Sequence, residues 1–306
     1  MVRLVVQRGT VHAITADDCL VLRPLAQPVL TQQLHSHRDY APQLVDVDLD
    51  RVMEYAARVL AEPRNTRELR AELAAKFPDH DAAALAFACR NLLPFVQVPP
   101  RGLWSRSGQV VGTTAQAWLG RDVDPNPSVD DVMVRYLRAF GPATVQDAGT
   151  WSRYTGLREV FERLRPQLHT YQDEAGREYF DVRDVSLPEA DTPAPVRLLP
   201  QYDNLLLAHK DRSRFIPSGF ESMSAIWMEQ RGFVGSVLLD GLLAGLWRID
   251  ESKQPAPSSR RTLTMTVTTP QDMVDDAAAG IMSEAERFLR FVDAGADHAV
   301  KFRVVG

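Results

Sequence analysis

The chain has 306 residues, 45% of them hydrophobic and 25% charged, and a formal net charge of −5. That length allows about two or three domains, and the composition is that of an ordinary globular protein rather than a low-complexity or fibrous one. Its two cysteines, Cys19 and Cys89, are too few for a disulfide framework or a zinc site. No apolar run reaches the roughly 18 to 20 residues of a membrane span, and MVRLVVQRGTVH lacks the cleavage signal of a secretory leader. The expected setting is therefore a reducing cytoplasm, with no metal, no cofactor and no membrane partner.

The acidic balance is unevenly spread. Residues 51–121 carry ten Lys/Arg against six Asp/Glu, and 135–170 carry six Arg against three acids, whereas 271–297 hold seven acids against two Arg. Phosphate binding needs only a locally basic surface, because each charge reaches about 8 to 10 Å at physiological salt. The asymmetry permits nucleic acid without requiring it.

In chain order, VRLVVQRGTVHAIT reads as β-structure up to Thr15, an N-cap for a short helix from Ala16 with Asp17 and Asp18 in its first turn. No hairpin turn is recognisable behind the first strand, which is expected to lack a partner. QPVLTQQLHSHRDYAPQ, polar and proline-punctuated, reads as irregular. His35 and His37 have no third ligand nearby and read as loop histidines. A helix follows from Leu49 to about Leu60, with Val52, Met53, Tyr55, Ala56 and Val59 inward and Pro63 ending it. Asn65-Thr66 caps RELRAELAAKF, where Leu69, Leu73 and Phe77 recur every four residues, and Asp81 opens DAAALAFACRNLL. FVQV and QVVGT pair across PPRGLWSRSG, a wing with Arg101 and Arg106 at its tip.

After VDPNPS, a connector by its prolines, the helix DDVMVRYLRAF leads into Gly141–Leu168. There Thr144 with Asp147 three residues on signals a helix start. Thr155-Gly156 breaks that helix, and Leu157, Val160, Phe161 and Leu164 form the apolar stripe of the next, with Arg158, Arg163 and Arg165 off it. LHTYQDEAGREYFDVRD, with Glu174-Ala175-Gly176 at its middle, is a hairpin. Helix, turn, helix and hairpin is the winged helix-turn-helix order, whose second helix typically enters a DNA major groove; an ordinary helical pair is the alternative. Residues 128–184 thus repeat the order of 49–120. PEADTPAPV is a linker, and beyond it come VRLLPQYDNLLLAH, a hairpin around Asp240-Gly241, the strand RTLTMTVTT and an amphipathic helix MSEAERFLRFVDA with Ala285, Phe288, Leu289 and Val292 on one side.

Several of these stretches resemble the winged-helix DNA glycosylases of the AlkZ and YcaQ type: RGTVH at 8–12, GPATVQDAGTWS with LREVFERL, LLPQYDNLLLAHKDRSR at 198–214, and GFVGSVLLDGLLAGLWR at 232–248. The third is the most specific. The resemblance implies tandem winged helices that grip DNA, a mainly β C-terminal domain, and excision of alkylated or crosslinked purine bases in DNA repair or genotoxin self-resistance. It also implies a catalytic Gln-aliphatic-Gln/Asp motif, which in the family lies upstream of the region that RGTVH matches. Here that match begins at residue 8, Gln32-Gln33-Leu34 has no aliphatic residue between its glutamines, and Gln7 and Gln97 are followed two residues on by Gly9 and Pro99. The expected chain is thus a family member lacking its N-terminal segment, with no catalytic residue assignable. Its function stays open between a glycosylase and a non-catalytic DNA-binding module or transcriptional regulator.

The expected fold class is α+β: tandem winged helix-turn-helix units followed by a mainly β C-terminal domain. Residues 1–48 would be the remnant of a first winged-helix unit, 49–122 and 123–187 complete units, and 188–306 the β-rich domain. The expected partner is double-stranded DNA, with alkylated or crosslinked bases among its lesions, bound by a monomer. Candidate DNA contacts are Arg8 and His12, for which capping or packing roles stay equally open, the wing residues Arg101 and Arg106, and Arg153, Arg158 and Arg177 from helix and wing geometry. Asp203, Asn204, His209, Asp211 and Arg212 fall in the most specific string and read as a hydrogen-bonded corner between domains rather than a ligand site. Trp104, Trp118, Trp151, Trp227 and Trp247 read as core or hairpin packing.

Overall fold

Val2, Leu4 and Val5, all buried, draw the start of the chain into a sheet. β1 (Val2–Val5) pairs antiparallel with β2 (Val11–Ile14), Val5 opposite Val11, across a 3-10 turn over Gln7–Gly9, and on its other side with β4 (Phe95–Gln97). The strand expected to be unpartnered is therefore paired on both edges. Its hairpin escapes recognition because the turn puts Arg8 (φ 55) as well as Gly9 (φ 70) in the left-handed region, a position sequence rules reserve for glycine or asparagine. The computed structural model describes residues 1–104, 106–189, 191–218, 220, 234–253, 261–270 and 274–305, and the chain forms two compact units, Met1–Arg183 and Asp184–Gly306.

In the first unit α1 (Ala16–Leu25) starts as expected, Thr15 Oγ1 accepting from the Asp18 amide. The segment expected to be irregular is instead α2 (Gln27–Ser36), with Leu30 and Leu34 buried. Pro28 lies in its first turn, where a missing N–H costs nothing, so the proline starts this helix rather than breaking it. α3 (Leu49–Val59), α4 (Thr66–Lys76) and α5 (Ala82–Leu92) follow, capped by Asp48, Asn65 and Asp81. Leu34, Leu60, Leu73 and Leu85 sit in the core they enclose. β3 (Arg64–Asn65), β5 (Val111–Thr114) and β4 complete a sheet of order β2-β1-β4-β5-β3, which joins residues on both sides of position 48. A short α6 (Ala115–Leu119), capped by Thr114, adds an unforeseen element.

The same unit continues with α7 (Val129–Phe140), α8 (Val145–Ser152), α9 (Leu157–Leu164) and the hairpin β6 (Leu168–Gln172)–β7 (Glu178–Val182). The Leu157, Val160, Phe161 and Leu164 stripe is buried, and Phe161 meets Phe180 of the hairpin edge-on at 5.0 Å. Burying such a side chain contributes roughly 1.5–3 kcal/mol, so this seam locks α9 to its hairpin. Residues 49–114 and 129–182 share the order of three helices and then two strands, with β3 added between α3 and α4 in the first.

The second unit is a sheet of order β12-β11-β10-β9-β8. It runs through β8 (Arg197–Leu199), the single turn α10 (Asn204–Leu207), β9 (Gly235–Leu239), β10 (Leu242–Lys253), β11 (Arg261–Pro270), α11 (Val274–Val292) and β12 (Asp297–Val305). Asp240 (φ 49) and Gly241 (φ 78) form the expected two-residue hairpin. Not expected was β12, which pairs parallel with β11 through α11 as crossover, Val267 opposite Phe302. Ile281, Ala285 and Leu289 of α11 pack on Val237, Met265 and Val267 of the sheet. The whole is α+β, as expected from the sequence.

Candidate nucleic-acid interface

The turn between β1 and β2 meets the end of α8. Gly9 is left-handed (φ 70), which favours glycine, and a Cβ there would displace the side-chain amide of Gln33 on α2. Gln33 Nε2 donates to Arg8 O at 3.3 Å. Arg8, held out by this turn, donates from Nη1 to Trp151 O at 2.9 Å. α8 ends at Arg153, itself left-handed (φ 64), its amide bonded to Gly149 O at 2.9 Å. Sequence positions 8 and 153 are thereby brought together: burial, then the Arg153 charge, lowers the Arg8 pKa below its ordinary value. His12 follows on β2. Burial lowers its pKa below 6.5, the bond from its ring nitrogen to Thr10 O at 3.0 Å partly opposes this, and the Arg8 charge adds to the lowering. A neutral imidazole beside the Arg8 guanidinium, which in turn feels the Arg153 charge, results, a surface that gains from an arriving anion.

The remaining candidates do not join this group. Arg101 and Arg106 lie in the β4–β5 loop, where Arg101 donates to Gly108 O at 2.8 Å and its charge acts on Arg3. Arg158 is exposed on α9, near enough to Glu162 to lower that carboxyl's pKa after the larger effect of Arg165. Arg177 sits in the β6–β7 turn, its Nε 2.6 Å from Asp173 Oδ2. In the second unit Asp203 caps α10 through the Leu205 amide, Asn204 is the helix's first residue, and His209, 2% exposed, lies 5.2 Å from the Phe215 ring. Asp211 accepts from the Ser213 amide and hydroxyl, and Arg212 O receives the Phe215 and Ile216 amides. These bonds of Asp203, Asp211 and Arg212 are local to this stretch.

Two tryptophans depart from the packing expectation: Trp104 and Trp118 are exposed. Trp151 packs against Tyr136 at 4.8 Å with the rings tilted by 37°, Trp247 Nε1 donates to Leu199 O at 2.9 Å, and Trp227 lies outside the described residues. Sequence reasoning missed the role of Gln33, set aside for its motif spacing, and of Arg3. Gln33 is signalled by nothing local, whereas Arg3 is the polar position between buried Val2 and Leu4. Among the described residues no group of three or more His, Cys, Asp or Glu could hold a metal ion, and no helix is long and apolar enough to cross a membrane.

A family model for DNA glycosylase AlkZ-like proteins matches residues 1–291. The chain belongs to the AlkZ-like DNA glycosylase family. Among solved structures, Streptomyces sahachiroi DNA glycosylase AlkZ is similar in fold, with a TM-score of 0.73 at 19% identity over 99% of this chain and 81% of that one. No curated protein matches. For an AlkZ-like chain, DNA is the partner that the family implies.

Proposed function

We propose that this AlkZ-like protein binds double-stranded DNA and serves in excision of alkylated or crosslinked purine bases. In this reading residues 49–122 and 123–187 are winged-helix units, 1–48 belong to a preceding one, and 188–306 form the β-rich domain. α9 faces the groove and β6–β7 is its wing. The observation that carries the reading is the meeting of Arg8, His12 and Arg153 from distant parts of the sequence, on a chain whose family acts on DNA. Arginine forks suit phosphate oxygens, and such contacts fix a duplex in register.

Excision breaks an N-glycosidic bond and builds oxocarbenium character in the sugar, which a positioned amide or carboxylate lowers in energy. An alkylated, cationic base leaves without acid assistance. No residue here is given that catalytic part, because no Gln-aliphatic-Gln or Gln-aliphatic-Asp string occurs in the 306 residues. That observation favours a second reading, a DNA-binding module without excision. Anisotropy titration of a labelled duplex tests the shared part: affinity is expected to fall as salt rises, and a flat response removes DNA as the ligand. Base release from an alkylated duplex by the same chain separates the two readings.

A further inference from the structure

Away from the Arg8 turn, the first unit carries a cleft of about 490 Å3, within the roughly 300–1,000 Å3 of small-molecule sites. Arg3, Arg64, Arg70, Arg90 and Arg101 line it, and among the described residues no Asp or Glu does. Several arginines elsewhere in this unit are answered by acids: Arg135 by Asp18 at 2.6 Å, Arg163 by Asp130 at 2.7 Å, Arg165 by both Glu162 and Glu178. In the cleft only Arg64 has such an answer, from Glu62 at 3.6 Å, and its Nε is a buried donor without a hydrogen-bond partner among the described residues. Like charges gathered in this way raise one another's free energy, which an entering anion lowers. Burial and the Arg101 charge together lower the Arg3 pKa.

The rest of the lining is what a bare phosphate site would not need. His37 stacks on Tyr40 at 4.6 Å with 20° between the planes, and Phe87 lies 4.5 Å from His37 and 5.0 Å from Tyr40. All three rings are half-buried. His37 Nδ1 accepts from the Asp39 and Tyr40 amides at 3.3 Å, which leaves the Nε2–H as a donor on the neutral ring. We infer that this cleft binds a nucleoside 5′-phosphate, free or as an unpaired nucleotide of a DNA strand, with the arginines on the phosphate and the rings against the base. Guanidinium forks match phosphate geometry, and aromatic faces stack any base. The free-nucleotide form stands independently of the function proposed above; the strand form rests on it.

The test uses the full chain. Calorimetry compares deoxyadenosine 5′-monophosphate, deoxyadenosine and inorganic phosphate, and anisotropy compares a fully paired duplex with one of equal length carrying a single unpaired adenosine. The monophosphate is expected to bind more tightly than either of its parts, or the unpaired adenosine to bind more tightly than its paired control. The first outcome assigns a free nucleotide and the second a strand. Arg70→Gln and Arg90→Gln, both exposed on their helices, are each expected to weaken the preferred ligand about tenfold, the scale of a lost charge-assisted pair, and Tyr40→Leu to erase the monophosphate's advantage over inorganic phosphate. If neither nucleotide form is preferred, or the preference survives both arginine variants, the inference is overturned. Salt-dependent binding of the paired duplex that persists through that result leaves the DNA reading standing, and loss of duplex binding with the monophosphate retained does the reverse.

Discussion

Arg153 takes a left-handed backbone (φ 64) at the end of α8, and among the described residues its side chain makes no hydrogen bond or ion pair. A non-glycine residue there costs about 1 kcal/mol, and helix ends of this kind favour glycine. The charge also bears on Arg8, which stands at φ 55. Strain retained at two facing arginines points to use rather than stability. Arg153→Gly is therefore expected to leave stability unchanged or raise it by up to about 1 kcal/mol while weakening duplex DNA; urea unfolding and anisotropy read the two effects separately, and a stabler variant with wild-type affinity removes this surface from the interface. His12 gives the same surface a pH signature. Because its folded pKa lies below the ordinary 6.5, the unfolded chain takes up a proton that the folded chain refuses. Its contribution to stability is complete above pH 6.5 and declines as pH falls below it. A phosphate beside Arg8 and Arg153 reverses that refusal, so duplex affinity is expected to rise from pH 7.5 to pH 6 with proton uptake on binding. His12→Asn is expected to lose that component, and calorimetry in buffers of different ionisation enthalpy measures it.

α8 owes its start to a reciprocal cap. Thr144 Oγ1 accepts from the Asp147 amide at 3.1 Å and donates to Asp147 Oδ2 at 2.8 Å, and the same carboxylate accepts from the Thr144 amide at 2.9 Å. Asp147 is only 4% exposed, so water does not readily replace these bonds. Thr144→Ala should cost about 1–2 kcal/mol and lower the urea midpoint, whereas Thr144→Ser should recover most of the loss; an alanine variant of wild-type midpoint would show the cap to be idle. Caps such as this, Asn65 and Asp81 were legible because each bond spans only two or three residues of sequence. So was the Asp240-Gly241 hairpin. α2 was not, because Pro28 reads as a breaker until its place in the first turn is known. β12 was not, because its partner β11 lies across a whole helix and its half-buried residues carry only a weak period of two. Of the candidate interface the sequence supplied Arg8, His12 and Arg153, but their meeting, and Gln33 against the turn, arise only through the packing of α2 and α8 on the β1–β2 turn.

Across the whole molecule the two units divide the charge. Residues 1–183 hold 22 Lys/Arg, of which 21 are arginine, against 23 acids, whereas residues 184–306 hold 13 against 17. Near-neutrality in the first unit hides two populations of arginine: those already paired with acids and those facing outward without one. Only the second can release counterions when phosphate arrives, so the salt dependence of DNA binding should count them. α9 offers the comparison within one helix. Arg163 is bound to Asp130 through two hydrogen bonds, at 2.7 and 3.2 Å, whereas Arg158 is exposed and has no ion pair among the described residues. Replacing a phosphate-contacting cation is expected to reduce the slope of log affinity against log salt by about 1. Arg158→Ala should do so, while Arg163→Ala should leave the slope as it was and change only stability, and that slightly, because water screens an exposed pair. Equal slopes in both variants would mean that α9 does not face the duplex, and a loss with Arg163→Ala alone would mean that Asp130 surrenders its partner to DNA.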